Sequence, residues 1–197
     1  MRHLQRLRWR FPLRQPRQLQ TRQPKLSNTY SKNIRVGDIV FAHSNGIMGR
    51  AIRFGETLRW KRGSEFNHVA IVSEIRKGVP YVIQAEPRGI TNDKPITSVG
   101  LFITRRPPRG VDPKKVVAFA RAQVGLKYGW LSIVSVFFDI LTPNWFPSFR
   151  RDNTWICSAL AAESLRFGGW LHSWADIYVV TPAQLWDVYR SVTTSSD

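Results

Sequence analysis

An α+β fold with an antiparallel sheet is the class this chain predicts, on three observations. Four short β-branched segments come first, helical segments follow, and the two do not alternate as a parallel β–α–β sheet requires. The 197 residues are 43% apolar and 12% aromatic, with eight Trp and eleven Phe, enough to bury a core and too many for a disordered polymer. The length suits one domain.

The strands are read from composition and their bounding turns. Asp38–His43 is opened by Gly37, Asn67–Ile75 and Val79–Glu86 are joined through Arg76-Lys77-Gly78, and Leu101–Arg105 is closed by Pro107-Pro108. Between the first two, Gly46–Leu58 carries a loose helical pattern (Ile47, Ala51, Ile52, Phe54, Leu58). The C-terminal half turns helical. Asp112 can cap a helix with Pro113 in its first turn, stopping at Gly125. Leu131–Leu141 is ended by Pro143, Trp155–Phe167 by Gly168-Gly169, and Pro182–Tyr189 is a short fourth helix.

Charge divides the chain. Residues 1–35 hold ten cations and no acid, more than half of the formal net charge of +17. This stretch is rich in Gln and Pro and cannot offset its ordering entropy by burial. We divide the chain into an extended basic arm (1–34), one globular domain (35–190) and a tail (191–197). The arm is expected either to stay disordered or to dock on an anionic protein surface, a cell-wall polymer or nucleic acid, the last without sequence specificity. Arg14, Arg17 and Arg22 interrupt the apolar run a secretory signal needs, and Pro12, Pro16 and Pro24 break the helix of a mitochondrial presequence. The longest apolar run, Trp130–Leu141, has 12 residues and includes Asp139, short of the roughly 20 that cross a bilayer.

One cysteine, Cys157, excludes an internal disulfide framework, and with four scattered histidines it gives no zinc-type spacing. Gly46–Gly55 lacks the Lys-Ser/Thr ending of a phosphate loop. No metal and no cofactor is expected. A lone cysteine is commonly a small buried hydrophobe, and Leu160, Ala161 and Leu165 on its helical face fit that role. Its position argues for chemistry. Asp152, Asn153 and Thr154 are all good N-cap types, which puts Cys157 in the first turn of its helix, where unsatisfied N–H groups favour a thiolate and can hold an oxyanion.

A thiolate needs a proton acceptor. His3 lies in the arm, His172 in a Gly/Trp-rich loop, and His43 ends a strand, whereas His68 opens the most regular strand. If Arg76-Lys77-Gly78 is a three-residue hairpin loop, Ile75 faces Val79 and His68 lies opposite Glu86, at a Cβ separation of roughly 5 Å. Glu86 would then orient the imidazole and stabilise its charged form. Gln84, on the same strand face, is the substitute, and a two-residue turn would put Glu86 on the wrong face.

The order GDIVF (Gly37–Phe41), FNHVAIV (Phe66–Val72), VIQAEPRGI (Val82–Ile90), LKYGWLSI (Leu126–Ile133) and WICSALAAESL (Trp155–Leu165) resembles circularly permuted NlpC-type papain-fold cysteine hydrolases. These are the YaeF/YiiX-like group, related to lecithin:retinol acyltransferase, in which the His strand precedes the Cys helix. The resemblance covers about residues 35–190. It implies a papain-like fold with Cys157 as nucleophile, His68 as base and Glu86 as the polar third member. Ser158 keeps the residue that commonly follows the family's cysteine, while Ala159 stands where an acid is common. The arm matches nothing in the family.

The implied activity is acyl transfer through a thioester, by an amidase or peptidase acting on cell-wall peptide. A small, very basic enzyme without a secretion signal suggests carriage in a phage particle, the arm anchoring it to other virion proteins; a cytoplasmic protein is the other expectation. Two further readings keep the fold: a virion assembly protein that uses the arm, and a lipid acyltransferase or deacylase. Trp130–Phe138 could line an acyl groove or be a plain core helix. Arg59, Lys61, Arg62, Arg105, Arg106 and Arg109 could border an anionic substrate or be solvated faces.

Overall fold

The computed structural model describes residues 33–44, 65–129, 154–174 and 177–194. The arm up to residue 32, the helical patterns Gly46–Leu58 and Leu131–Leu141, the aromatic stretch Trp130–Phe138, and Arg59, Lys61, Arg62, Asp152 and Asn153 lie outside them.

The described residues form an α+β structure around a five-stranded antiparallel sheet. Its strands are β1 (Ile39–His43), β2 (His68–Arg76), β3 (Val79–Glu86), β4 (Gly89–Pro95) and β5 (Leu101–Arg105), in the spatial order β4-β3-β2-β1-β5. β1 and most of β2 are near-continuous apolar runs because both of their faces are buried. On one face Ile39, Phe41, Val69, Ile71, Ile83, Ala85 and Ile103 pack with α1 (Pro113–Ala122), α2 (Cys157–Phe167) and α3 (Pro182–Thr194). On the other, Val40, Ala42, Ala70, Val72 and Val82 meet Ile34, Phe102, and Ile96 and Val99 of the 3₁₀ turn between β4 and β5.

β3 and β5 occupy the expected ranges, and β1 and β2 begin one residue later than expected. Asp112 caps α1 as expected, its side chain accepting from the Lys114 N–H at 2.8 Å with Pro113 in the first turn. The helix ends at Ala122 rather than at Gly125, and α3 runs on to Thr194, past the expected domain end at 190. Three strands escaped the sequence reading. β4 is polar (Gly89–Pro95), and its partner β3 holds it in place. β6 (Lys127–Tyr128) and β7 (Thr154–Trp155) form a two-residue parallel bridge, too short to leave a pattern.

The β2–β3 hairpin corrects one expectation. Its turn has two residues, Lys77 and Gly78, both left-handed (φ 47° and 81°), and Arg76 rather than Ile75 faces Val79. A regular ladder from that turn would place Glu86 on the wrong face. A β-bulge prevents it: Glu74 pairs with Tyr81 but Val72 pairs with Val82, so Ser73 is the extra residue. Its hydroxyl donates to the Tyr81 carbonyl at 3.2 Å, and its carbonyl accepts from Arg121 of α1 at 3.0 Å. Beyond the bulge the pairing is the expected one, Ile71 with Ile83. Continued to the end of β2, it sets His68 opposite Glu86 with Gln84 one diagonal step inward.

Candidate active site

Cys157 is the first residue of α2 and is buried. The expected cap is corrected: Thr154 belongs to β7, and Ile156 is the N-cap, extended at φ −95° and ψ 159°, with no side-chain capping bond. An apolar cap leaves the first-turn N–H groups to other partners, and one of these is the sulfur. The Cys157 Sγ is coupled to the His68 imidazole and to the backbone N–H groups of Val69 and Ser158, each of which favours its thiolate. Val69 lies two residues past Ile71–Ile83, the last β2–β3 pair, so the N-terminus of α2 meets the sheet where that ladder ends.

His68, the first residue of β2, is held from both sides. Its Nε2 lies 2.7 Å from Gln84 Oε1, which leaves Nδ1 to face the sulfur. The direct partner of the imidazole is therefore Gln84, and the expectation that Glu86 itself holds the ring is corrected. Glu86 stands one bond behind. It accepts from Gln84 Nε2 at 3.2 Å and from Lys94 Nζ at 2.9 and 2.6 Å. The diagonal neighbour wins because a Gln side chain spans that step with an oxygen to spare, while Lys94 draws the carboxylate toward β4.

The electrostatics follow from these contacts. Burial pushes the Cys157 thiol up, but hydrogen bonding to His68, its charge and the Val69 and Ser158 N–H groups outweigh this and hold the thiol below its ordinary value. Burial pulls His68 down, yet the Cys157 sulfur, the Gln84 oxygen and the Glu86 charge raise it overall. Opposed shifts of this kind favour a thiolate–imidazolium pair. Beside them, burial and then the Cys157 charge keep the Tyr128 phenol protonated far into the alkaline range.

The other expected polar groups stand elsewhere. His43 Nδ1 bonds the Glu65 carbonyl at 3.1 Å, and His172 stacks on Trp170. Arg106 is engaged by the buried Asp38 carboxylate at 2.6 and 2.7 Å, and Arg105 lies over the Trp186 ring at 5.3 Å, so neither reads as a loose border cation. Among the described residues no three His, Cys, Asp or Glu side chains are grouped to hold a metal ion. None of the helices there is long and apolar enough to cross a membrane. Lys94, Tyr128 and the Val69 N–H were missed by sequence reasoning; Val69 lies inside FNHVAIV and Tyr128 inside LKYGWLSI, but Lys94 carried no signal.

No model of a known protein family matches the chain, and no curated protein matches it either.

Proposed function

We propose that the protein is a cysteine-dependent amidase or peptidase that works through an acyl-thioester, on a circularly permuted papain-like fold of the NlpC type. The observation that carries this reading is one constellation: a sulfur at a helix N-terminus, coupled to an imidazole whose Nε2 is held by Gln84. The chain order supports the permutation, since the His68 strand precedes the Cys157 helix and both pack in one core.

In the reaction the Cys157 thiolate attacks a carbonyl carbon, and the carbonyl oxygen takes the charge. First-turn N–H groups of α2 stabilise that oxyanion. Collapse breaks the C–N bond, and the leaving amine takes the proton from His68 Nδ1. Neutral His68 then removes a proton from water, whose oxygen attacks the thioester. The acid product leaves, and the sulfur returns as thiolate beside imidazolium. Gln84 holds the ring in one orientation throughout.

The net charge of +17, centred on the arm, favours an anionic surround, and we take the substrate to be peptide of the bacterial cell wall. Carriage in a phage particle, with the arm as its anchor, fits the same charge. The test is labelling by chloroacetamide at neutral pH together with release of peptide from peptidoglycan, with Cys157→Ala as control. Labelling and release, both lost in Cys157→Ala, are expected. A probe-inert Cys157 in the folded protein overturns the enzyme in favour of an assembly protein. Labelling with turnover of phospholipid or acyl esters alone moves the substrate to lipid.

A further inference from the structure

Four side chains from three strands stand in a line behind the sulfur. Lys94 on β4 donates to both oxygens of Glu86 on β3, Glu86 accepts from the amide nitrogen of Gln84, and the Gln84 oxygen meets His68 Nε2 on β2. A carboxylate can only accept. The Gln84 amide must therefore turn its nitrogen to Glu86 and its oxygen to His68, and an oxygen can only accept from the ring. Nε2 has to carry the hydrogen, and the neutral ring presents a bare Nδ1 to the thiol.

We propose that Glu86, fastened by Lys94, is a positioning residue that acts through Gln84: it sets the direction of the amide and so fixes which nitrogen of His68 takes the thiol's proton. This rests on the reading of Cys157 as nucleophile and His68 as base. Glu86 touches neither sulfur nor imidazole by hydrogen bond; it acts on the ring through one amide and through its charge. The charged and titratable groups around His68 are Cys157 on α2, Glu86 on β3, Lys94 on β4, and Tyr128 on β6 beyond the sulfur.

The experiment is the pH profile of Cys157 alkylation by chloroacetamide on the full chain, with thermal melts alongside. The wild type is expected to show a lower step, where the pair becomes charged, and an upper step, where His68 loses its proton. Glu86→Gln moves the upper step to lower pH by about half a pH unit, roughly a threefold loss of the ion pair above its midpoint. Lys94→Met breaks the same cross-strand bridge but keeps the carboxylate, and its upper step stays in place or moves to higher pH. Joining Gln84→Glu to Glu86→Gln returns an anion to the line and restores the upper step. If Glu86→Gln and Lys94→Met shift the melt alike and leave the profile alone, the bridge is structural and the proposal falls. A wild-type Cys157 that resists alkylation defeats the enzyme reading, and the proposal with it. Should Glu86→Gln fail to fold, nitrogen-15 spectra of wild-type histidine above the upper step decide: hydrogen on Nε2 of His68 is expected, and hydrogen on Nδ1 overturns the assignment.

Discussion

At the scale of single residues the site is a contest between burial and pairing. Cys157 is buried and His68 half-buried; burial disfavours the charged form of each, and each favours the charged form of the other. His68→Ala removes every favourable side-chain contact of the sulfur and leaves burial, which pushes the thiol up. Alkylation at pH 7 is then expected to fall at least about tenfold while Cys157 remains in place, as intact-protein mass spectrometry after timed quenching will show. A rate within twofold of wild type would mean the sulfur owes its state to backbone N–H groups alone. The histidine opening a regular strand was legible in the sequence, and so was the helix start at Cys157, although the cap-type residue that pointed to it, Thr154, lies in β7 and Ile156 caps the helix. The choice between Gln84 and Glu86 was not. Both lie on the same strand face, and what separates them is Lys94, which comes from a strand too polar to announce itself.

At the scale of elements, the hairpin between His68 and Glu86 shows how a correct register can be reached from a wrong turn. The spacing argument needed opposite residues to pair as they do at Ile71–Ile83, and it assumed a three-residue loop to obtain this. The chain instead makes a tighter turn and takes up the surplus at Ser73. Bulges leave little trace in sequence, because the extra residue needs only a satisfied carbonyl and hydroxyl, here supplied by Arg121 and Tyr81. The turn itself carries a testable cost. Lys77 is the only non-glycine with a left-handed backbone among the described residues, a conformation Asn accepts far more readily. Lys77→Asn is expected to raise stability by about 0.5–1 kcal/mol in urea titration and to leave Cys157 alkylation untouched. A loss of stability would mean the Lys77 side chain contributes more than its backbone takes away.

For the molecule as a whole, different stretches of the sequence carry the charge and the proposed chemistry. The cationic excess is concentrated in residues 1–35, whereas the proposed chemistry sits at the junction of sheet and α2, with one carboxylate and one ammonium close by. Association with an anionic cell-wall polymer is therefore expected to weaken several-fold between about 50 and 200 mM salt, followed by co-sedimentation, while alkylation of Cys157 by an uncharged probe does not change. Equal salt sensitivity in both would tie the arm to the site. Fold class was legible at this scale because strands precede helices, whereas the packing of α2 against the end of the β2–β3 ladder is a long-range matter that no local window contains. Ser73 has one more implication. A hairpin with one residue to spare has slack: it can lose a residue near position 73 and simply close up, keeping every cross-strand neighbour, but it has nowhere to lodge a second. Length variation in this stretch should thus run in one direction only, toward shorter chains.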